Sequence, residues 1–427
     1  MPNSGAKGVE KVGLFALAPI VGLFFLWGVA NNLNDVLIAQ FRKAFSLGDL
    51  QSGLVQSAFY LGYFLFALPA ALFMRRMGFK AAVVLGLVLY GAGALLFYPA
   101  AESRTYGAFL AALFVIAAGL AFLETSANPL ILVMGSPQGA TRRLNLAQAF
   151  NPLGSITGVL IGRQFIFSGD KAGAGPLTEA QRAAAAHAVQ TPYLAIGLFV
   201  LVWAGLIAIT RFPRAAVAAN TAEEGGGLSD IGALFKRPRY LFAVLAQFFY
   251  VGAQVGVWSF LIRYAQRETG ADERTAASYL IISLAAFLVG RFVGVALMGR
   301  VKPERLTAAF GLINLVLCLV AVFAPGTVGL WALIASSAFM SVMFPTIFAL
   351  GVKDLGPQTK MGWSFLVMAI IGGAALTAAM GYISDLAGIA TAMGVPALAF
   401  GVVAWFAASS TPALAADEVE AVAEPTP

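Results

Sequence analysis

About twenty apolar residues recur twelve times in this chain between short polar connections, and no soluble fold can use that pattern. A helix needs ~20 such residues, at 1.5 Å rise each, to cross the ~30 Å hydrocarbon of a bilayer. The rule places spans over residues 14–41, 53–74, 80–100, 106–133, 144–167 and 192–212, and, beyond a polar segment, over 240–265, 277–299, 306–324, 327–351, 361–384 and 388–408. Composition agrees: 60% of residues are hydrophobic and 11% charged, against roughly 45–50% and about 25% in soluble domains. A large water-exposed surface cannot be built from this.

The polar segment divides the chain. Residues 1–212 read as an N-terminal six-helix bundle, 213–239 as a cytoplasmic linker carrying Glu223, Glu224 and three glycines, 240–408 as a C-terminal six-helix bundle, and 409–427 as a disordered acidic, Ala/Pro-rich tail. Lys7 and Lys11 precede an apolar run longer than a signal-peptide core, which reads as a retained first span. The halves echo one another, as in transporters built from repeated bundles. Phe24-Phe25-x-x-Gly28 in span 1 matches Phe248-Phe249-x-x-Gly252 in span 7, and Pro129 with Gly135 matches Pro345 with Gly351 at the same spacing. Basic residues follow span 2 (Arg75, Arg76, Lys80) and span 8 (Arg300, Lys302, Arg305) alike.

Of the 27 Lys and Arg residues, 17 fall on the side that holds both termini, 9 on the other, and one, Arg291, inside span 8. The positive-inside rule therefore puts both termini in the cytoplasm. The same distribution explains the net charge of +7 without a nucleic-acid partner, because the basic residues lie in short loops between spans. One Cys and one His leave no disulfide framework within the chain and no cluster for a metal. No phosphate-binding loop, nucleophile elbow or zinc-helix motif is found. Enzymatic chemistry, a cofactor and nucleotide-driven pumping are thus not expected.

Acids inside spans carry the functional signal, since a carboxylate at a helix centre costs about 2.5–3.5 kcal/mol on insertion scales and usually faces a wet cavity. Asp35 lies in the outer half of span 1, with Asn31 and Asn32 one turn earlier on its face; snorkelling to water is the alternative reading. Glu124 lies too deep in span 4 to snorkel. Asn128 follows it one turn later on the same face, and Pro129 frees a helix carbonyl. Span 5 carries Asn145, Gln148 and Asn151 at three-residue spacing, a stripe that reads either as a cavity lining for a hydroxylated molecule or as glue between helices. The second half offers Gln247, Gln254 and Trp258 in span 7 and Phe344 beside Pro345 in span 10, with no acid in either span. A cavity acidic and amide-rich on one side and aromatic on the other suits a sugar.

These residues fall in longer motifs: Phe25-Leu-Trp-Gly-Val-Ala-Asn-Asn-Leu-Asn-Asp35, Leu123-Glu-Thr-Ser-Ala-Asn-Pro129, Arg143-Leu-Asn-Leu-Ala-Gln-Ala-Phe-Asn151, Tyr250-Val-Gly-Ala-Gln254 with Trp258, and Ser341-Val-Met-Phe-Pro-Thr-Ile-Phe-Ala-Leu-Gly351. Through them the chain resembles the major facilitator superfamily and, within it, the sugar symporters typified by the L-fucose permease. The resemblance implies an all-α membrane protein of twelve transmembrane helices in two pseudo-symmetric bundles, alternating access and proton-coupled uptake of a monosaccharide. It implies Asp35 and Glu124 as the proton-coupling pair, and sugar contacts near Trp27, Asn32, Gln148, Asn151 and Trp258. Two departures stand out. The loop after span 2, Met74-Arg-Arg-Met-Gly-Phe-Lys80, lacks the acid of many superfamily members. Phe344 stands where the fucose permease has a tyrosine, whereas Glu124 departs from the glucose/galactose branch, which has a glutamine.

The resulting expectation is a monomeric secondary transporter, with a monosaccharide, protons and the bilayer as partners. Its substrate site combines Trp27, Asn32, Glu124, Asn128, Gln148, Asn151, Gln254, Trp258 and Phe344, with no metal. A transporter for another sugar or a non-sugar cargo is the alternative. A membrane enzyme using Glu124 and Asp35 as an acid/base pair would need a nucleophile or metal ligand that the chain does not offer.

Overall fold

The computed structural model describes residues 18–30, 33, 45, 49–134, 137–161, 178–210 and 229–410. Asn31, Asn32 and Asp35 lie outside them, as do 213–228 of the expected linker and 411–427 of the tail. The described chain is helical throughout, with nine helices long and apolar enough to cross a membrane.

The first of these, Ala58–Ser103, is 46 residues long, about twice a bilayer's thickness at 1.5 Å per residue. It is two crossings that turn at Gly78, whose φ of 84° favours glycine. Gly62 before the turn and Gly86 and Gly93 after it all pack on residues 112–123 of the next helix, Tyr106–Val133, so the chain has doubled back. Two further crossings complete the set. One begins as α1 (Ala18–Ala30); the other is broken into Ala140–Gln148 and Phe150–Ile161. The order is α1; α2 and α3, either side of Gly78; α4 (Tyr106–Val133); α5, the broken crossing; α6 (Gln190–Ile209); α7 (Pro238–Thr269); α8 (Glu273–Leu297); α9 (Pro303–Phe323); α10 (Thr327–Met340 and Met343–Gly351); α11 (Thr359–Met368 and Gly372–Ala387); and α12 (Ile389–Ala392 and Gly394–Ser409). Twelve crossings agree with the reading from span lengths.

Large apolar side chains face outward, Phe323 81% and Leu398 75% exposed, as a lipid-facing surface requires. The end of the expected linker is ordered: Ser229–Leu234 is helical, and Leu234 is buried near Gly362.

The repeat seen in sequence has a packing cause. A Cβ on Gly28 of α1 would collide with the Asn151 carbonyl oxygen of α5, and one on Gly154 with the Phe25 carbonyl oxygen. The second half repeats this crossing, with Gly252 of α7 against Leu376 and the Gly372 carbonyl of α11, and a Cβ on Gly372 would collide with the Phe248 carbonyl. The two Phe-Phe-x-x-Gly motifs are thus equivalent seams at which backbones touch, and both partner helices, α5 and α11, are interrupted near the crossing.

Gly28→Ala should therefore destabilise the fold by about 1–3 kcal/mol or more, because the obstacle is backbone and cannot rotate away. The detergent-solubilised variant should melt at a lower temperature than the parent. Gly205→Ala, with nothing within 4 Å, is the control and should not.

Candidate functional site

The polar residues of α1, α2 and α4 converge inside the first bundle. The Trp27 indole N–H donates to the Tyr63 hydroxyl at 2.7 Å, and Phe24 stacks on Trp27 at 5.9 Å. Tyr63 in turn interacts electrostatically with Glu124. The Glu124 side chain belongs to a residue only 2% exposed, and among the described residues no hydrogen bond or ion pair reaches its carboxylate. One turn along α4, the Asn128 Oδ1 accepts from Gln148 Nε2 of α5 at 3.0 Å, while Asn128 Nδ2 has no partner among the described residues.

The line of polar contacts continues into the second bundle. Arg291 Nη1 of α8 donates to the Gln148 carbonyl oxygen at 3.2 Å and toward Gln148 Oε1 at 3.4 Å. The guanidinium lies over the Phe287 ring, 4.9 Å from its centroid, and interacts electrostatically with Tyr250 of α7. Tyr250 donates to the Met340 carbonyl at 2.9 Å, where α10 breaks, and its ring meets Phe344 at 6.2 Å. Trp258 packs edge-on against Phe287 at 5.0 Å and donates to Ser337 Oγ at 3.1 Å. Along this line the second bundle supplies aromatic rings and one cation, and the first an acid, amides and the rings of Phe24, Trp27 and Tyr63.

The three-residue stripe on α5 divides by role. Asn145 Nδ2 donates to Thr346 Oγ1 of α10 at 3.2 Å, so Asn145 and Gln148 both bond across the two bundles. Asn151 Nδ2 donates to the Phe24 carbonyl of α1 at 3.3 Å, within its own bundle. Each member thus bonds another helix, as the glue reading expects, while Gln148 also lies beside the buried acid. Gln254 is half-buried on α7, one turn from Tyr250.

In the sequence Arg291 stands out only as the basic residue inside a span. Yet it is 3% exposed, and no carboxylate pairs with it among the described residues. Pro152 was the available signal. It has no N–H for the carbonyl four residues back, that of Gln148, and Arg291 supplies the missing donor.

The bundles close on each other at one end. Phe79 meets Trp363 at 5.8 Å, and the Arg142 guanidinium reaches within 3.8 Å of a Cβ built on Gly299. These are loops that the basic-residue count assigns to a single side, called here the basic end. On the opposite side the bonds run within the first bundle, with Gln190 Nε2 donating to Glu102 at 2.9 Å and Arg104 pairing with Glu179 at 2.8 Å.

Two membrane-spanning six-helix halves closed around an ionisable polar seam define a secondary transporter. The chain belongs to the Major Facilitator Superfamily, whose family model matches residues 19–360. It is 46% identical to the L-fucose-proton symporter of Escherichia coli (strain K12), with 94% of each chain covered. It is 35% identical to the glucose/galactose transporter of Brucella abortus, covering 92% of this chain and 93% of that one. A crystal structure of a Major Facilitator Superfamily transporter, FucP, in the outward conformation superposes with a TM-score of 0.85 at 45% identity, covering 94% of this chain and 99% of that one.

Proposed function

We propose that this protein imports L-fucose or a closely similar monosaccharide together with protons, by alternating access, as a monomer in the cytoplasmic membrane with both termini inside. The observation that carries the reading is Glu124, a buried carboxylate with no bonding partner among the described residues, one turn from an amide pair on the seam between the bundles. A buried acid held this way is costly unless it exchanges a proton or bonds a ligand. The likeness to the two named sugar transporters supports the substrate class. Retention of the acid favours the fucose-like branch.

Asp35 and Glu124 are the proton-coupling pair in this reading. Glu124, Asn128, Gln148 and Asn151 offer oxygens and amides to sugar hydroxyls, Trp27 lies alongside, Asn32 is assigned to the same site from its motif, and Trp258, Gln254 and Phe344 line the opposite wall. Phe344 supplies a ring without a hydroxyl, which favours a second reading in which the preferred monosaccharide is a different one from L-fucose. Uptake of a panel of radiolabelled monosaccharides into proteoliposomes, with and without an imposed proton gradient, tests both. Gradient-stimulated uptake of L-fucose or a stereochemical relative is expected, and uptake of no monosaccharide would overturn the proposal.

The orientation is tested separately. With the single buried Cys318 replaced by Ala, a Cys at Glu223 should react with impermeant thiol reagent only after cells are opened. Labelling of intact cells would reverse the topology.

A further inference from the structure

We propose that Arg291 is the lock of the basic end, a positioning residue that holds the two bundles closed there through Gln148 and must let go before that end opens. The idea rests on the bundles alternating between two states and not on which sugar is carried.

A buried guanidinium with no anion beside it among the described residues is an expensive residue in a membrane span. Its partner here is a helix terminus. The first piece of α5 ends at Gln148, where carbonyls lack helical partners and carry the negative end of the helix dipole. Pro152 leaves the Gln148 carbonyl without its usual donor. Arg291 Nη1 fills that position at 3.2 Å and is shared with Oε1 of the same residue at 3.4 Å. The ring of Phe287 supports the guanidinium at 4.9 Å, and its Nε has no other partner among the described residues.

This bond joins helices of different halves, α8 and α5, so it exists only while the basic end is closed. A contact made in one state alone shifts the population toward that state. Neutral Asn145 to Thr346, 3.2 Å, is another such bond among the described residues. The arginine is the stronger of the two, because hydrogen bonds with a charged partner outweigh neutral ones about twofold. An apolar residue at this position would suit the membrane better but would hold nothing.

Thr346 is buried at the seam, so a Cys placed there reports opening of the basic end. In a Cys318→Ala, Thr346→Cys background, the rate of maleimide labelling follows the fraction of time that end is open. R291Q should label at least tenfold faster, and R291K, which keeps a cation at the helix terminus, within about threefold of the parent. Q148E, which gives the arginine an anion, should label more slowly. The slower labelling is readable even if R291Q does not fold. Labelling of R291Q at the parental rate, or of Q148E at or above it, would overturn the lock. An equal acceleration in R291K and R291Q would overturn it too, since that is what lost packing alone produces.

Discussion

Asp35→Asn should abolish accumulation of sugar against a gradient while leaving sugar exchange across the membrane. The argument starts from depth. The sequence places Asp35 about two turns before Arg42 and Lys43, in the outer half of the first span, where external water can reach it. Its carboxylate would have to be enclosed when the outer side closes, and an uncompensated buried anion opposes that closure by several kcal/mol. Protonation removes the obstacle, so the inward turn becomes conditional on a proton. Asparagine imitates the protonated acid permanently. Counterflow should persist, net uptake should stop at equal concentrations on the two sides, and the response to external pH should vanish. Parallel counterflow and net-uptake assays across external pH check this; accumulation by the variant would remove Asp35 from the coupling step.

Glu124 should behave differently, because it is enclosed within the first bundle, near Tyr63 and one turn from the Asn128 to Gln148 pair. Here the acid is placed to bond a sugar hydroxyl as well as a proton. By linkage the two ligands must then alter each other's affinity by the same factor. Glu124→Gln keeps a hydrogen-bonding group of the same size, so it should retain binding and exchange with a flattened pH dependence. Glu124→Ala removes the group altogether. Hydrogen bonds to charged partners contribute about 1.5–3 kcal/mol, so a loss of roughly tenfold or more in affinity is expected by titration calorimetry. Equal affinities for the Ala variant and the parent would remove Glu124 from the sugar site.

The fold was legible because each of its determinants is local. Span length shows in any run of apolar residues, and the paired Phe-Phe-x-x-Gly motifs survive because both crossings demand a glycine where backbones touch. The depth of Glu124 was legible for the same reason, since an acid in the middle of an apolar helix is visible without knowing its neighbours. The stripe on α5 was only half legible. Periodicity shows that Asn145, Gln148 and Asn151 share a face, but not that the first two meet the opposite bundle and the third its own. Arg291 escaped because its partner is a main-chain carbonyl, not an acid. Only Pro152, which leaves that carbonyl without its donor, pointed there, and nothing in the sequence brings span 8 beside span 5. Pairings between bundles depend on which end is closed, a property of the state and not of any one segment.

The coupling of sugar to protons is open to one direct measurement. Proteoliposomes with no imposed gradient, in lightly buffered medium with an external pH electrode, receive L-fucose or the monosaccharide that the uptake panel selects. If the protein carries protons inward with sugar, the medium turns alkaline on addition, the change is abolished by a proton uncoupler, and Asp35→Asn gives none. Entry of labelled sugar with no change in external pH would contradict proton-coupled transport outright.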